Sequence, residues 1–370
     1  MLTRKKEDYK YYLAGLKGLA CILIMTSHFF GIYNYAESFP SIHILDVILD
    51  SRLSFLISAD FWLYLFFAVS GYLVAQSKIE RLRDIVLKIV NRFFRLALPI
   101  LFVYIIVYII YLLHGFHASD TVSLFDCEWY QKYYTGQYSL LDVVLGPVNV
   151  LLRGKPDLNN PYWVLRDMFI SSVLIYILRY CYHRLSKKKA DAICFSALLL
   201  ITFGSYFFSY IITACLMGMI VAFYEKKAIS DKPYFAFWAM IVFLSVYLLP
   251  DKLVSALFFC SLIVYIPGVK WIERLLSSKP FIFIGDISWG VYSLHWPLLC
   301  SVGAVCIIKL SGVTGLTAAF LLSFLIIVIS TLLLSTAFFF TFEKLSGFLT
   351  RKIVEVFKSA LYMNEQQSEK

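Results

Sequence analysis

Lys17 and His28 stand eleven residues apart in YYLAGLKGLACILIMTSHFF, a stretch otherwise apolar enough to lie inside a membrane. At about 100° per residue, eleven residues make roughly three turns and a rise of about 16 Å, so the two side chains share one helix face. That face can line a passage with a cation at its mouth and an imidazole deep inside. Ionisable groups within spans are costly and ordinarily face a cavity or a partner. An imidazole is also the natural base for activating a hydroxyl near neutral pH. Each residue has a blander use: Lys17 can snorkel to the interface, and His28 can be a hydrogen-bonded packing residue.

Further polar groups interrupt later apolar runs. In NPYWVLRDMF, Arg166 and Asp167 lie at a depth similar to that of His28. A carboxylate there can orient an imidazole and stabilise its protonated form; it can equally pair with neighbours at the interface. Arg92 and Arg95, one turn apart ahead of Pro99, can clamp a phosphate or serve as ordinary positive anchors. FFAVSGYL at 66–73 places Ser70, Gly71 and Tyr72 where small residues permit close backbone approach. Ser288, Tyr292 and His295 fall at i, i+4 and i+7, a polar stripe on one face, and Pro297 predicts a kink. His114 and His117 form an HxxH pair with no third ligand at a convincing spacing, so no metal is expected. The eight cysteines include no CxxC and predict no disulfide framework. Trp129, Tyr130, Tyr133, Tyr134 and Tyr138 can stack on sugar rings or form an interfacial belt.

The elements that must position these residues are membrane helices. Of the 370 residues 60% are hydrophobic and 16% charged, against about 45–50% and about 25% in a soluble domain. This excludes a disordered chain, a fibrous repeat and an ordinary soluble enzyme. The apolar runs predict an all-α polytopic membrane protein with about ten spans, at 11–33, 58–77, 95–114, 162–181, 191–208, 210–224, 234–249, 252–267, 283–309 and 314–342. With the N-terminus in the cytoplasm, 26 Lys and Arg fall in inside segments and six in outside ones. That asymmetry predicts both termini to be cytoplasmic, and it accounts for the net charge of +10 without a nucleic-acid partner. The first helix is too long for a cleaved signal peptide and carries Lys17 and His28. Residues 34–57 show helical periodicity suited to the interface, and 115–161 form a long outer segment. Residues 1–350 read as one transmembrane domain and 351–370 as a short polar cytoplasmic tail, expected to fray after about Glu355. No internal repeat supports an inverted-repeat transporter.

Taken together, these segments resemble acyltransferase family 3, integral-membrane O-acyltransferases mostly of bacteria. The resemblance covers about 11–345. It rests on Lys17-(x10)-His28, on FFAVSGYL at 66–73, on Arg92, Arg95 and Pro99, on Trp163-Val164-Leu165-Arg166-Asp167, and on Ser288-Trp289-(x2)-Tyr292-(x2)-His295-Trp296-Pro297. Five motifs in the right order on ten spans are together fairly specific. The resemblance implies transfer of an acyl group, commonly acetyl from acetyl-CoA, to a hydroxyl of a carbohydrate or lipid-linked glycan of the cell envelope. It implies a multi-pass protein of the bacterial inner membrane. It assigns His28 as base or acyl relay, with Asp167 and His295 as further catalytic candidates. Lys17, Arg92 and Arg95 would hold the CoA phosphates. Ser70, Tyr72, Trp163, Arg166, Ser288 and Tyr292 would contact substrate or transition state. The sequence departs from the family pattern at Lys17, usually Arg, at Tyr64, often Asp, and at Met168, often Glu, where Asp167 stands one residue early. A multi-pass glycan or lipid transporter and an inactive acyltransferase-like sensor are the competing readings.

Overall fold

The structure is a computed structural model that describes residues 10–185, 190–228, 244–245, 247–248 and 251–368. It is helical, with no strand among the described residues. The helices are α1 (Tyr11–Tyr35), α2 (His43–Leu49), α3 (Ala59–Ala75), α4 (Leu82–Leu112), α5 (Glu128–Gln131), α6 (Leu140–Val148), α7 (Leu165–Leu185), α8 (Ala190–Tyr206), α9 (Tyr210–Ala228), α10 (Lys252–Tyr265), α11 (Lys270–Leu276), α12 (Lys279–Asp286), α13 (Ser288–Leu298), α14 (Ala304–Thr314), α15 (Leu316–Phe338) and α16 (Lys344–Ser368).

Among the described residues four helices are long and apolar enough to cross a membrane: Tyr11–Tyr35, Leu82–Leu112, Ser288–Thr314 and Leu316–Leu361. A bent pair, Lys252–Gly268 and Lys270–Leu276, turns through 104° at its break, and Ala59–Ala75, Ile193–Tyr206 and Tyr210–Phe223 are shorter apolar helices. Helix α7 occupies the expected span 162–181 and carries the charged residues Arg166, Asp167, Arg179 and Arg184. The expected span 234–249 lies outside the described residues except at four positions.

Two boundaries differ from expectation for local reasons. Helix α4 begins at Leu82 rather than near 95. The Asp84 carboxylate accepts the backbone N–H groups of Glu80 at 3.0 Å and Arg81 at 2.9 Å, which caps the first turn. The basic residues from Arg83 to Arg95 therefore ride on a helix instead of a loop. At the other end, the polar tail is helical to Ser368 instead of fraying after Glu355. It contains no Pro, and Lys352 pairs with Glu355 at 3.2 Å one turn away.

Small residues let the helices meet backbone to backbone. A Cβ at Gly71 of α3 would sit 1.8 Å from the Cys215 carbonyl oxygen of α9, and one at Gly218 would sit 2.0 Å from that of Ala68. No side chain fits there, which is why the run FFAVSGYL carries a glycine. Helix α1 meets α12 in the same way: a Cβ at Gly285 would lie 2.2 Å from the Ala14 carbonyl oxygen. The Lys17 end of α1 is thus seated on α12, while its other half runs beside α13.

The long segment after α4 is fastened onto α13. Pro297 and a π-type turn at Leu299–Gly303 disturb the helix there, and backbone carbonyls of that turn take partners from outside the helix. The Tyr130 hydroxyl donates to the Leu299 carbonyl at 2.8 Å, and the His117 N–H donates to that of Cys300 at 3.0 Å. Beyond α1, the Ser41 and Tyr33 hydroxyls donate to the Asp46 carboxylate of α2 and hold it below the usual carboxylate range.

Candidate active site

His28 of α1 and His295 of α13 meet. Their rings stack with centroids 5.0 Å apart and planes 6° apart, and His28 Nδ1 lies 2.8 Å from His295 Nε2. The other nitrogen of His295, Nδ1, lies 3.0 Å from the Val291 carbonyl oxygen. A carbonyl only accepts, so His295 Nδ1 carries a hydrogen. In a neutral ring its Nε2 then accepts, and the hydrogen between the rings sits on His28 Nδ1. His28 Nε2 is left with a lone pair and no protein partner among the described residues. His295 is 1% exposed, whereas His28 is partly exposed. One imidazole is therefore bonded at both ring nitrogens, and the other keeps one nitrogen without a partner among the described residues.

Aromatic side chains flank the His28 ring. Trp129 of α5 stacks on His28 with centroids 6.3 Å and planes 29° apart, and Trp296 stands edge-on to it at 5.5 Å. Trp129 and Tyr133 in turn meet Trp296 at 5.2 and 5.0 Å. The Trp296 indole N–H is buried without an acceptor among the described residues. Of the outer-segment aromatics, Trp129 and Tyr133 thus gather beside the histidine pair, whereas Tyr134 stacks on Phe116 and Tyr138 meets Tyr111.

At the other end of the shared face of α1, Lys17 has Arg95, Asp286 and Glu343 as its charged neighbours. Among the described residues none of these four groups closes an ion pair with another. Glu343 Oε2 is buried without a hydrogen-bond partner. Arg92 is a nearby cation; its Nε donates to Ser172 Oγ and its Nη2 to Ser70 Oγ, both at 3.1 Å. It ties α4 to α7 and α3 while three of its five N–H groups remain.

The structure does not bring Asp167 to His28. Its Oδ1 accepts from Arg166 Nε at 2.8 Å and its Oδ2 from the Ser209 hydroxyl at 2.6 Å. Similar depth in two helices says nothing about azimuth, and α7 turns this carboxylate toward α9. The partner of the His28 ring is His295 instead. Tyr292 is close to His295, with rings 6.2 Å apart, but its hydroxyl donates to the Pro161 carbonyl. The Ser288 hydroxyl donates to the Gly285 carbonyl at 2.7 Å. Trp163 is 39% exposed beside Tyr210, and the buried Tyr72 ring lies under Lys10 Nζ at 5.1 Å. These residues line helix contacts and do not converge on the histidines, Tyr292 excepted.

A family model described as an acyltransferase domain matches residues 10–340. The chain belongs to acyltransferase family 3. No curated protein and no solved structure matches it significantly. For an acyltransferase the arrangement is chemically apt. A base with an open nitrogen can take a hydroxyl proton, and cations some three turns away along α1 can hold an anionic donor. Sequence reasoning missed three contributors. Asp286 and Glu343 were visible as acids at the ends of apolar runs. Trp296 stands beside His295 in the chain and signalled nothing on its own.

Proposed function

We propose that this acyltransferase moves an acyl group, acetyl in the simplest case, from acyl-CoA to a hydroxyl of a carbohydrate or lipid-linked glycan. The observation that carries the reading is the bonded pair of histidines, with His295 fixed by the Val291 carbonyl and His28 Nε2 open. His28 Nε2 takes the acceptor's hydroxyl proton as the oxygen attacks the thioester carbonyl. The carbon–sulfur bond then breaks, and the imidazolium returns the proton to the departing thiolate. His295 reaches the reaction only through His28 and is a positioning residue: its Nε2 accepts the hydrogen of His28 Nδ1 and steadies the ring as it becomes charged.

The oxyanion formed during attack needs a donor. The Trp296 N–H fits that role better than Tyr292, whose hydroxyl is already engaged by Pro161. Lys17, Arg95 and Arg92 supply positive charge for the CoA phosphates, and Trp129 and Tyr133 supply faces on which a sugar ring can stack. The topology that suits this division has ten spans, with both termini and the Lys17 end on the cytoplasmic side of a bacterial inner membrane.

Mass spectrometry of the cell-surface polysaccharide, with and without the gene, tests the reading. Loss of a hydroxylamine-labile acyl group from an otherwise intact glycan is the expected result. Loss of the whole glycan would point to a transporter, and no change would point to a sensor.

A further inference from the structure

Pro297 lies two residues beyond His295 and has no N–H to give. In an uninterrupted helix the N–H at 297 would bond the carbonyl of Ser293. That carbonyl is nevertheless satisfied: Asn159 Nδ2 donates to it at 2.8 Å. Asn159 is 1% exposed and sits in the outer segment, 134 residues away in sequence. Its neighbour Pro161 takes the Tyr292 hydroxyl on the same helix. The two bonds fasten the part of α13 just ahead of His295 to the outer segment.

We propose that Asn159 is a positioning residue for the histidine pair: its amide replaces the hydrogen-bond donor that Pro297 lacks and so fixes the turn of α13 that holds His295 against His28. The proposal rests on the functional reading above only for what the pair is used for. A buried carbonyl left without a donor is costly, so removing the amide drives this turn to shift toward another donor. A displacement of about 1 Å separates rings that now stand at bonding distance, and such a shift is enough to disable a catalytic group.

The test couples positions 159 and 297 and reads His28 directly. Diethyl pyrocarbonate acylates a neutral imidazole nitrogen, and peptide mass spectrometry gives the rate at His28 relative to the exposed His43 of the same molecule. Asn159→Leu keeps the volume and removes the donor. It is expected to change the His28 rate about ten-fold, the scale of one lost hydrogen bond, without changing His43. In a Pro297→Ala background the backbone N–H is restored and the Ser293 carbonyl no longer needs the amide. There the effect of Asn159→Leu is expected to shrink to under two-fold. Equal effects in the two backgrounds, or an unaltered His28 rate in Asn159→Leu alone, would overturn the proposal. If Asn159→Leu does not fold, recovery of folded detergent-solubilised protein on adding Pro297→Ala becomes the readout, and failure of that recovery overturns it. Glycan acylation by the same variants separates the two ideas: an altered His28 rate with unaltered acylation leaves the positioning intact and removes the proposed use of the pair.

Discussion

The two ends of the shared face of α1 are built on opposite principles. At the His28 end every contact is short and directed: ring nitrogen to ring nitrogen at 2.8 Å, ring nitrogen to carbonyl at 3.0 Å, and aromatic rings on two further sides. At the Lys17 end, Lys17, Arg95, Asp286 and Glu343 share a neighbourhood without closing a pair. Fixed geometry suits a group that must move a proton along one line. Loosely arranged cations suit the capture of a multiply charged, flexible donor. The difference suggests a division of labour, with chemistry at one end and donor binding at the other.

If that division holds, variants at the two ends change different kinetic constants. His28→Ala is expected to lower kcat by about 10² to 10⁴ while leaving KM for acetyl-CoA within about two-fold. His295→Ala should lower kcat by roughly 10², because the ring of His28 loses its anchor but keeps its nitrogen. Steady-state kinetics in membranes that contain the native acceptor check both, and a larger loss in His295→Ala than in His28→Ala would exchange the two roles. Lys17→Ala or Arg95→Ala should raise KM for acetyl-CoA by about ten-fold each, the scale of one charge-assisted hydrogen bond, with kcat little changed. A fall in kcat alone would erase the contrast between the ends. The smallest expected effect lies outside both: Ser139→Ala removes the hydroxyl that accepts the Asp142 N–H at the start of α6 and should cost about 1 kcal/mol of stability, read as a modest drop in melting temperature with the kinetics unaltered.

What the sequence discloses about this site follows helical periodicity. Lys17 and His28 fall on one face because eleven residues make about three turns, and Ser288, Tyr292 and His295 form a stripe for the same reason. Gly71 in an apolar run announces a close crossing, realised against Cys215. Periodicity fixes what one helix presents but not which helix faces it. Asp167 was therefore drawn to His28 by depth alone, whereas the true partner lies 267 residues away on α13. Asn159 was hidden for the same reason, although Pro297 announces that the Ser293 carbonyl needs a donor from somewhere. Capping by Asp84 moved the start of α4 because charged first turns extend a helix beyond its apolar stretch.

The central claim is that the open nitrogen of His28 takes the acceptor's proton. Transfer of radiolabel from acetyl-CoA into the glycan fraction of membranes, wild type against His28→Ala at equal protein level, tests it most directly. The account predicts label in the wild type and background in the variant; undiminished labelling with His28→Ala would contradict it.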